Sequence, residues 1–587
     1  MTKTWQIYEK APEVFFTSFP QYSKFTLQLL YNRELKDCKE IEEFFSADYE
    51  RDFIDPFLFD QMEIAVSRLK QAILKKEKIG LWGDYDADGV TGVSIMYLAL
   101  KKLIPKENIK VYIPDRNKEG HGLNQGGLKE LADWGAKVII TIDCGLSNSE
   151  EIKLANDLGM EVIICDHHLD PEIDPPALAV LNPKAKKGSY PFRHLAGAGV
   201  VFKLVSALIK SFPQEILESA GLSNGYEKWF LDLVAIATVA DYMPLKGENR
   251  TLVKYGLYVL SKTNKIGLKT LLLRAGLMPL FGREDIVTNL TTQDLSFSVI
   301  PRINAMGRLA HARTSFQLLV ASLEEEAQDL AKTVESTNKK RQVIGNKLVE
   351  DLNIKIDPNT LFIFEQLAEG HYPGILSSLA SRLVELYKKP VFVCARRDDV
   401  SICSVRSANY FNTVEVFNEL KDFLVVYGGH QAAGGFTIKN DQIEKFRIEL
   451  QRVLEDRLKN VEIKNILEVD LEIAFNEINL AMFAEMKKFE PFGVENVYPR
   501  FLIKNVEIID LKFLGSSGKH IKFFLQSKND SQKIFEALAF NISDNYKQLK
   551  INDIVDVIIE LHLDKYNGQE KLSLKIVDFR ASSAPKR

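Results

Sequence analysis

The stretch GDYDADGVTG, residues 83–92, follows the apolar run KIGLW and sets three carboxylates, Asp84, Asp86 and Asp88, on alternate positions where a strand should end. Carboxylates this close repel one another, so a fold that keeps them needs positive charge between them. A metal ion is the first candidate. The string also suggests a calcium loop of the EF-hand kind, but that loop needs a Glu at its twelfth position. Counted from Asp84, the twelfth residue is Ile95, which excludes it.

Working outward, short β-rich runs alternate with helical patterns over residues 78–168: KIGLWGDYD, VSIMYLALKKLI, KVYIPD, GGLKELADWGA, KVIITIDCG, SEEIKLANDLGM and EVIICDHH. This alternation predicts βαβ units around a parallel sheet covered on both faces, with ligands at the carboxyl ends of its strands. A largely helical stretch follows over residues 198–350, its last part a single connecting helix. Alternation resumes to about residue 455, predicting a second, smaller α/β domain. From 460 to 580, short strands separated by Gly, Asn and Asp turns predict a small β-barrel of the OB kind.

Three later apolar runs also end in metal-capable residues. VIITIDCG delivers Asp143, VIICDHH delivers Asp166, His167 and His168, and LVAIATVADYMPL delivers Asp241. An isolated Asp at a strand end is more often a helix cap or turn residue than a ligand. Four such sites, each expected at a strand end, are far less readily a coincidence. Several carboxylates with one or two imidazoles favour Mn²⁺ or Mg²⁺ over zinc.

DYDADG, IDCG, CDHH and ATVADYMPL, in this order and spacing, resemble the four motifs of the DHH phosphoesterase superfamily. PRINAMGR (301–308), SVRS (404–407) and GGHQAAGGF (428–436) are similar to those of the RecJ family within it, the single-strand-specific 5′→3′ exonucleases. The resemblance covers residues 45–580. It implies a capping segment over 1–45, a DHH catalytic domain over 46–315, a connecting helix over 316–352, a DHH-associated domain over 353–457 and an OB-fold over 458–587. It further implies that Asp86, Asp88, Asp143, His167 and Asp241 hold two divalent cations, Mn²⁺ or Mg²⁺, with Asp143 bridging. Asp84 and His168 then lie in or beside the ligand set, and Asp166 orients a histidine from behind.

The substrate side is read from basic residues. Arg406 sits between Ser404 and Ser407, and the glycine-rich GGHQAAGG turn carries His430. Backbone N–H groups of such a turn can cup a phosphate while a guanidinium grips it bidentately. The resemblance assigns Arg302, Ser404, Arg406, Gly429 and His430 to the terminal 5′-phosphate and its neighbours, and Arg116 to a phosphate nearer the metals. The run NKKRQVIGNK (338–347) carries four positive charges and no negative one, so on a helix it can track a strand, although such a run is commonly only a solvated face. In the barrel, Phe513, Phe523, Phe524 and Tyr566 are candidates for stacking bases, against the commoner role of aromatics as barrel core. In GHYPGILSSLASRL (370–383), Ser377 and Ser378 depart from the glycine and aliphatic residue of the family pattern, which weakens any role for His371.

The 587 residues carry a net charge of only −4, so any polyanion site must be a local basic surface. The five cysteines form no C-x-x-C pair, which fits reduced thiols and argues against a zinc ribbon. No secretory signal and no run of eighteen apolar residues is present, so the expectation is a cytoplasmic monomer without a membrane partner. Its expected activity is exonucleolytic hydrolysis of single-stranded DNA from a 5′ end in repair and recombination, with a helicase and a single-strand-binding protein as partners by resemblance. Two other readings are a phosphodiesterase for short oligonucleotides or cyclic dinucleotides, and a non-catalytic single-strand-binding scaffold.

Overall fold

The structure is a computed structural model describing residues 3–169, 171, 173–278, 290–357, 360–370, 372–408, 410–459, 465–514, 520–527, 530–540, 546, 548–566 and 569–582. His371 lies outside them, as does the Tyr566 side chain. The chain forms two compact units, one of residues 49–463 and one joining residues 1–48 to 464–587.

The larger unit is built on a five-stranded parallel sheet in the order Ile109–Tyr112, Ile79–Gly83, Val138–Ile142, Glu161–Cys165, Ala179–Leu181. Ile79–Gly83 and Val138–Ile142 are buried throughout, because helices cover both faces and the Val/Ile-rich runs have no solvent side to alternate toward. Strand order reverses at Ile79–Gly83, the switch point where doubly wound sheets open a crevice. Register brings Gly83 beside Ile142 and Ile142 beside Cys165. The ladder then runs one residue further: Asp84 N–H donates to Ile142 O at 3.2 Å, Asp143 N–H to Cys165 O at 2.9 Å, and Asp166 N–H to Leu181 O at 3.1 Å. Three acidic residues are thereby fixed side by side along one rim.

The described part of the region from Gly197 to Leu309 consists of helices joined by turns, and the connecting helix Glu324–Lys355 leads to a five-stranded mixed sheet ordered Leu424–His430, Ala433–Lys439, Val400–Arg406, Val391–Arg397, Ile363–Leu367. Register in that sheet sets Cys394 opposite Cys403 with Cα atoms 3.9 Å apart, and the two sulfurs are bonded. The expectation of five reduced thiols is corrected accordingly: Cys38, Cys144 and Cys165 are free. Cross-strand opposition, invisible to a count of spacings, is the reason.

In the smaller unit, Phe501–Leu514, His520–Ser527, Asp530–Phe540, Ile554–Tyr566 and Gln569–Ala581 close into a barrel through a parallel contact of the third with the fifth strand and an antiparallel contact of the first with the fourth. That is the OB connectivity. The N-terminal residues join this unit: Thr4–Ile7 pairs with Ile466–Val469, and Phe15, Leu29 and Ile41 bury against the same core as Phe489 and Phe501. Among the described residues no helix is long and apolar enough to cross a membrane.

Candidate metal centre and phosphate cleft

Each acidic residue on the rim is held by a local device. Asp86 caps the helix Ala87–Leu103, accepting from the Asp88 and Gly89 N–H groups at 3.0 and 3.1 Å. Asp88 accepts from the Gly197 and Ala198 N–H groups, both at 2.7 Å, where the positive end of the helix Gly197–Lys210 begins. Asp143 sits at φ 60°, in the left-handed region that Asn and Asp tolerate best. Asp166 accepts from His168 Nδ1 at 2.7 Å, which orients that ring, and from the His167 backbone N–H at 2.7 Å.

Asp241 arrives differently from the expectation of a strand end. LVAIATVA belongs to the helix Leu231–Ala240, buried nearly all round, and Asp241 closes it. A continuous apolar run carries no periodicity to tell a buried strand from a buried helix. The helix nevertheless delivers the carboxylate to the rim.

His167 Nε2 lies 3.2 Å from Asp143 Oδ1, 3.4 Å from Asp241 Oδ2 and 3.7 Å from Asp88 Oδ2. Ligand-capable atoms converge within 4.8 Å in three groups: Asp84, Asp86 and Asp143; Asp88, His167 and Asp241; Asp143, His167 and His168. Asp143 is shared between the first and the last.

The electrostatics of this cluster are unbalanced. Burial, then Asp88 and Asp86, pushes the Asp143 carboxyl well above the usual range; burial, then Asp241, does the same to Asp88; and burial, then Asp86, lifts Asp241 to about 7. His167 offers no compensation, because burial, with His168 next, drives it down to about 3 and leaves it neutral. The short His167–carboxylate distances are therefore not ion pairs. Among the described residues, the Asp143 Oδ1 and both ring nitrogens of His167 are buried without a hydrogen-bond partner. A buried carboxylate oxygen and a buried imidazole without partners, facing further carboxyl groups, fit cations among them.

Opposite the acids, the walls of a cleft of about 300 Å³ carry Arg116, Arg308 and Arg406, together with Tyr85, His121, Asn304 and Ser377. Arg116 stacks its guanidinium 4.9 Å from the Tyr85 ring. Asn304 Oδ1 accepts from the Ala87 N–H at 2.7 Å, tying the helix Ile300–Leu309 to the acidic loop. Burial, then Arg116, Arg341 and Arg406, lowers Arg308 to about 10. Among the described residues, no carboxylate forms an ion pair with Arg116, Arg308 or Arg406.

Arg302 stands elsewhere: it donates to Glu335 at 2.6 Å and to Ser298 O at 2.7 Å, and is not part of the cleft lining. Ser404 precedes Arg406 by two residues on one strand, so both side chains share a face. Gly429 pairs with Gly434 in the adjoining hairpin, and the exposed His430 at its end feels the charges of His168 and Lys184. Arg308, His121, Asn304 and Lys184 were not singled out by the sequence reading. For His121 a signal existed, since GHG places one imidazole between two glycines next to DRNKE.

The basic run 338–347 lies on the connecting helix, where Lys339 pairs with Glu335 and Arg341 donates to Asn338. In the barrel Phe523 is core, 1% exposed. Phe513 is exposed, and Phe524 lies 5.7 and 5.4 Å from Lys512 and Lys522.

Three family models match the chain: the DHH family N-terminal domain over residues 78–238, the DHHA1 domain over 359–456 and the RecJ OB domain over 469–578. The single-stranded-DNA-specific exonuclease RecJ of Bacillus subtilis is 33% identical over 93% of this chain, which spans 66% of that relative's length. The RecJ of Thermus thermophilus is 30% identical over 89% of this chain and 71% of its own. The crystal structure of Thermus thermophilus RecJ in complex with Mn²⁺ superposes with a TM-score of 0.79 at 26% identity, covering 99% of this chain and 80% of that one. With three domains matched in order, and relatives aligned along nearly its whole length, the chain belongs to the RecJ family.

Proposed function

We propose that the protein is a single-stranded-DNA-specific 5′→3′ exonuclease that hydrolyses phosphodiester bonds with two divalent cations, Mn²⁺ or Mg²⁺, and releases 5′-mononucleotides in DNA repair and recombination. One observation carries this reading: a single cleft is lined by buried carboxyl groups crowded against one another and by three arginines that pair with no carboxylate among the described residues.

Asp84, Asp86, Asp88, Asp143, His167 and Asp241 would hold the cations, with Asp143 in the shared position and His168 beside them. Bound there, two divalent ions supply an activated water at neutral pH and neutralise charge on the phosphate. Asp166 fixes the ring orientation of His168, as carboxylates behind metal-binding histidines do. Arg116, Arg308 and Arg406 grip phosphate oxygens across the cleft, and Ser404, Gly429 and His430 complete the terminal phosphate pocket. Arg302 positions the connecting helix through Glu335 rather than touching the strand.

A closed OB barrel gives the chain a module suited to single strands, which a phosphodiesterase for short oligonucleotides does not need. We extend the reading to a helicase that supplies the unwound strand and a single-strand-binding protein as partners. The test is digestion of a 5′-labelled oligonucleotide, single-stranded or duplex, with Mn²⁺ or EDTA. Label leaves as mononucleotide only from the single strand and only with metal. Equal attack on both, or turnover in EDTA, contradicts the reading.

A further inference from the structure

The loop between the strand Ile109–Tyr112 and the helix Gln125–Trp134 carries His121 into the cleft, where its Nδ1 lies 3.1 Å from Asp84 Oδ1. Resting on the metal reading above, we infer that His121 is a positioning residue: its Nδ1–H fixes Asp84 in the orientation that a divalent cation requires, leaving Nε2 facing the cleft.

The loop is constructed to deliver this side chain. Gly120 and Gly122 flank His121 at φ 85° and 83°, a conformation in which any other residue is strained. A Cβ on Gly122 would stand 2.6 Å from Asn148 Oδ1, the atom that accepts the Leu123 N–H and anchors the exit of the loop. At the entrance, Glu119 accepts from the Asp115 N–H, from Asn124 Nδ2 and from the Tyr112 hydroxyl. The intervening imidazole is thus presented from a backbone pinned on both sides. Its side chain is 52% exposed while the Asp84 side chain it meets is 5% exposed, so the histidine adds nothing to the core.

Chemistry gives the contact a purpose. Asp84 has two carboxylate oxygens and faces Asp86 and Asp143. With one oxygen held by the imidazole N–H, the other is directed at the cation and the carboxylate cannot swing toward solvent. Asp166 and His168 form the reverse arrangement on the far side of the rim, a carboxylate orienting an imidazole.

The experiment is titration of the full-length, metal-free protein with MnCl₂, bound Mn²⁺ being read by electron paramagnetic resonance, for wild type, His121→Ala, His121→Asn and Asp84→Asn. An asparagine amide nitrogen occupies nearly the place of Nδ1, so it can restore the hydrogen bond. His121→Ala is expected to weaken one of the two Mn²⁺ sites about tenfold, with the other site and the melting temperature unchanged. His121→Asn returns affinity to within about threefold of wild type on the same scale. Equal affinity in wild type and His121→Ala overturns the inference while leaving the metal centre intact. Loss of a whole site in both His121 variants also overturns it, since that would make His121 a ligand. A wild type that binds no Mn²⁺ sinks the metal reading and this inference with it.

Discussion

Arg302 and Arg308 ride on one helix, Ile300–Leu309, yet only Arg308 lines the cleft, because Arg302 is engaged by Glu335 at 2.6 Å. Six residues at 100° each separate the two side chains by about 240° around the helix. Arg308→Ala is expected to lower kcat/KM on single-stranded DNA by about a hundredfold with little change in stability, since a bidentate phosphate contact is lost. Arg302→Ala should retain activity and lose about 1 kcal/mol of stability, because the guanidinium bonds to Glu335 and to Ser298 O are lost. Steady-state kinetics beside urea denaturation distinguish them, and the opposite pattern would return Arg302 to the substrate.

Asp143 combines a left-handed backbone with a carboxylate that burial and Asp88 push far up. Asparagine tolerates that φ, so Asp143→Asn isolates the charge. Hydrolysis should fall to background, while the metal-free protein gains about 1 kcal/mol because an amide escapes the burial and the like-charge neighbours that penalise the carboxylate. A variant with normal turnover, or one that melts earlier without metal, contradicts the assignment.

How far the sequence went follows from what each element needs. The rim was legible because strands buried on both faces are nearly continuous Val/Ile runs, and residues directly after such runs share an edge: Asp84, Asp143 and Asp166. Asp241 was placed at a strand end because an apolar run without polar interruptions has no period. The choice between Arg302 and Arg308 depends on which helix face meets the cleft, and a motif does not carry that. Phe523 and Phe524 were both offered as stacking residues, although adjacent strand residues point to opposite faces, so only one can leave the core. The packing of residues 1–48 with the barrel involves partners more than 400 positions away, beyond the reach of any local pattern.

Tyr242 terminates the helix Leu231–Ala240 at φ 54° and is 79% exposed. Its N–H donates to Val239 O and the Met243 N–H to Thr238 O, the helix-ending pattern in which glycine is preferred. Tyr242→Gly should stabilise the larger unit by about 0.5 kcal/mol, the relieved strain exceeding the added chain entropy. Urea denaturation measures this, and a destabilised variant would show that the tyrosine ring contributes packing.

Glu560 in the barrel is 5% exposed. Burial acts upward on it, but His562 at 3.6 Å, Lys575 at 2.7 Å and Arg500 at 3.4 Å prevail and hold it at about 2. A carboxyl depressed in the folded state stabilises fully above its unfolded value near 4.5, and that contribution fades as pH falls toward 2. Glu560→Gln should cost about 2 kcal/mol at neutral pH, discounted for the partly exposed lysine and arginine, and flatten the acid limb of barrel stability between these values. An unchanged acid limb would mean that the partners do not hold the carboxylate.

The convergence of Asp88, Asp143 and Asp241 on His167 Nε2, within 3.7 Å, is what the catalytic account stands on. Anomalous diffraction from crystals soaked in MnCl₂ tests it most directly. Two peaks are expected, one among Asp84, Asp86 and Asp143 and one among Asp88, His167 and Asp241, with Asp143 touching both. A single peak, or none within this cluster, would contradict the two-cation centre.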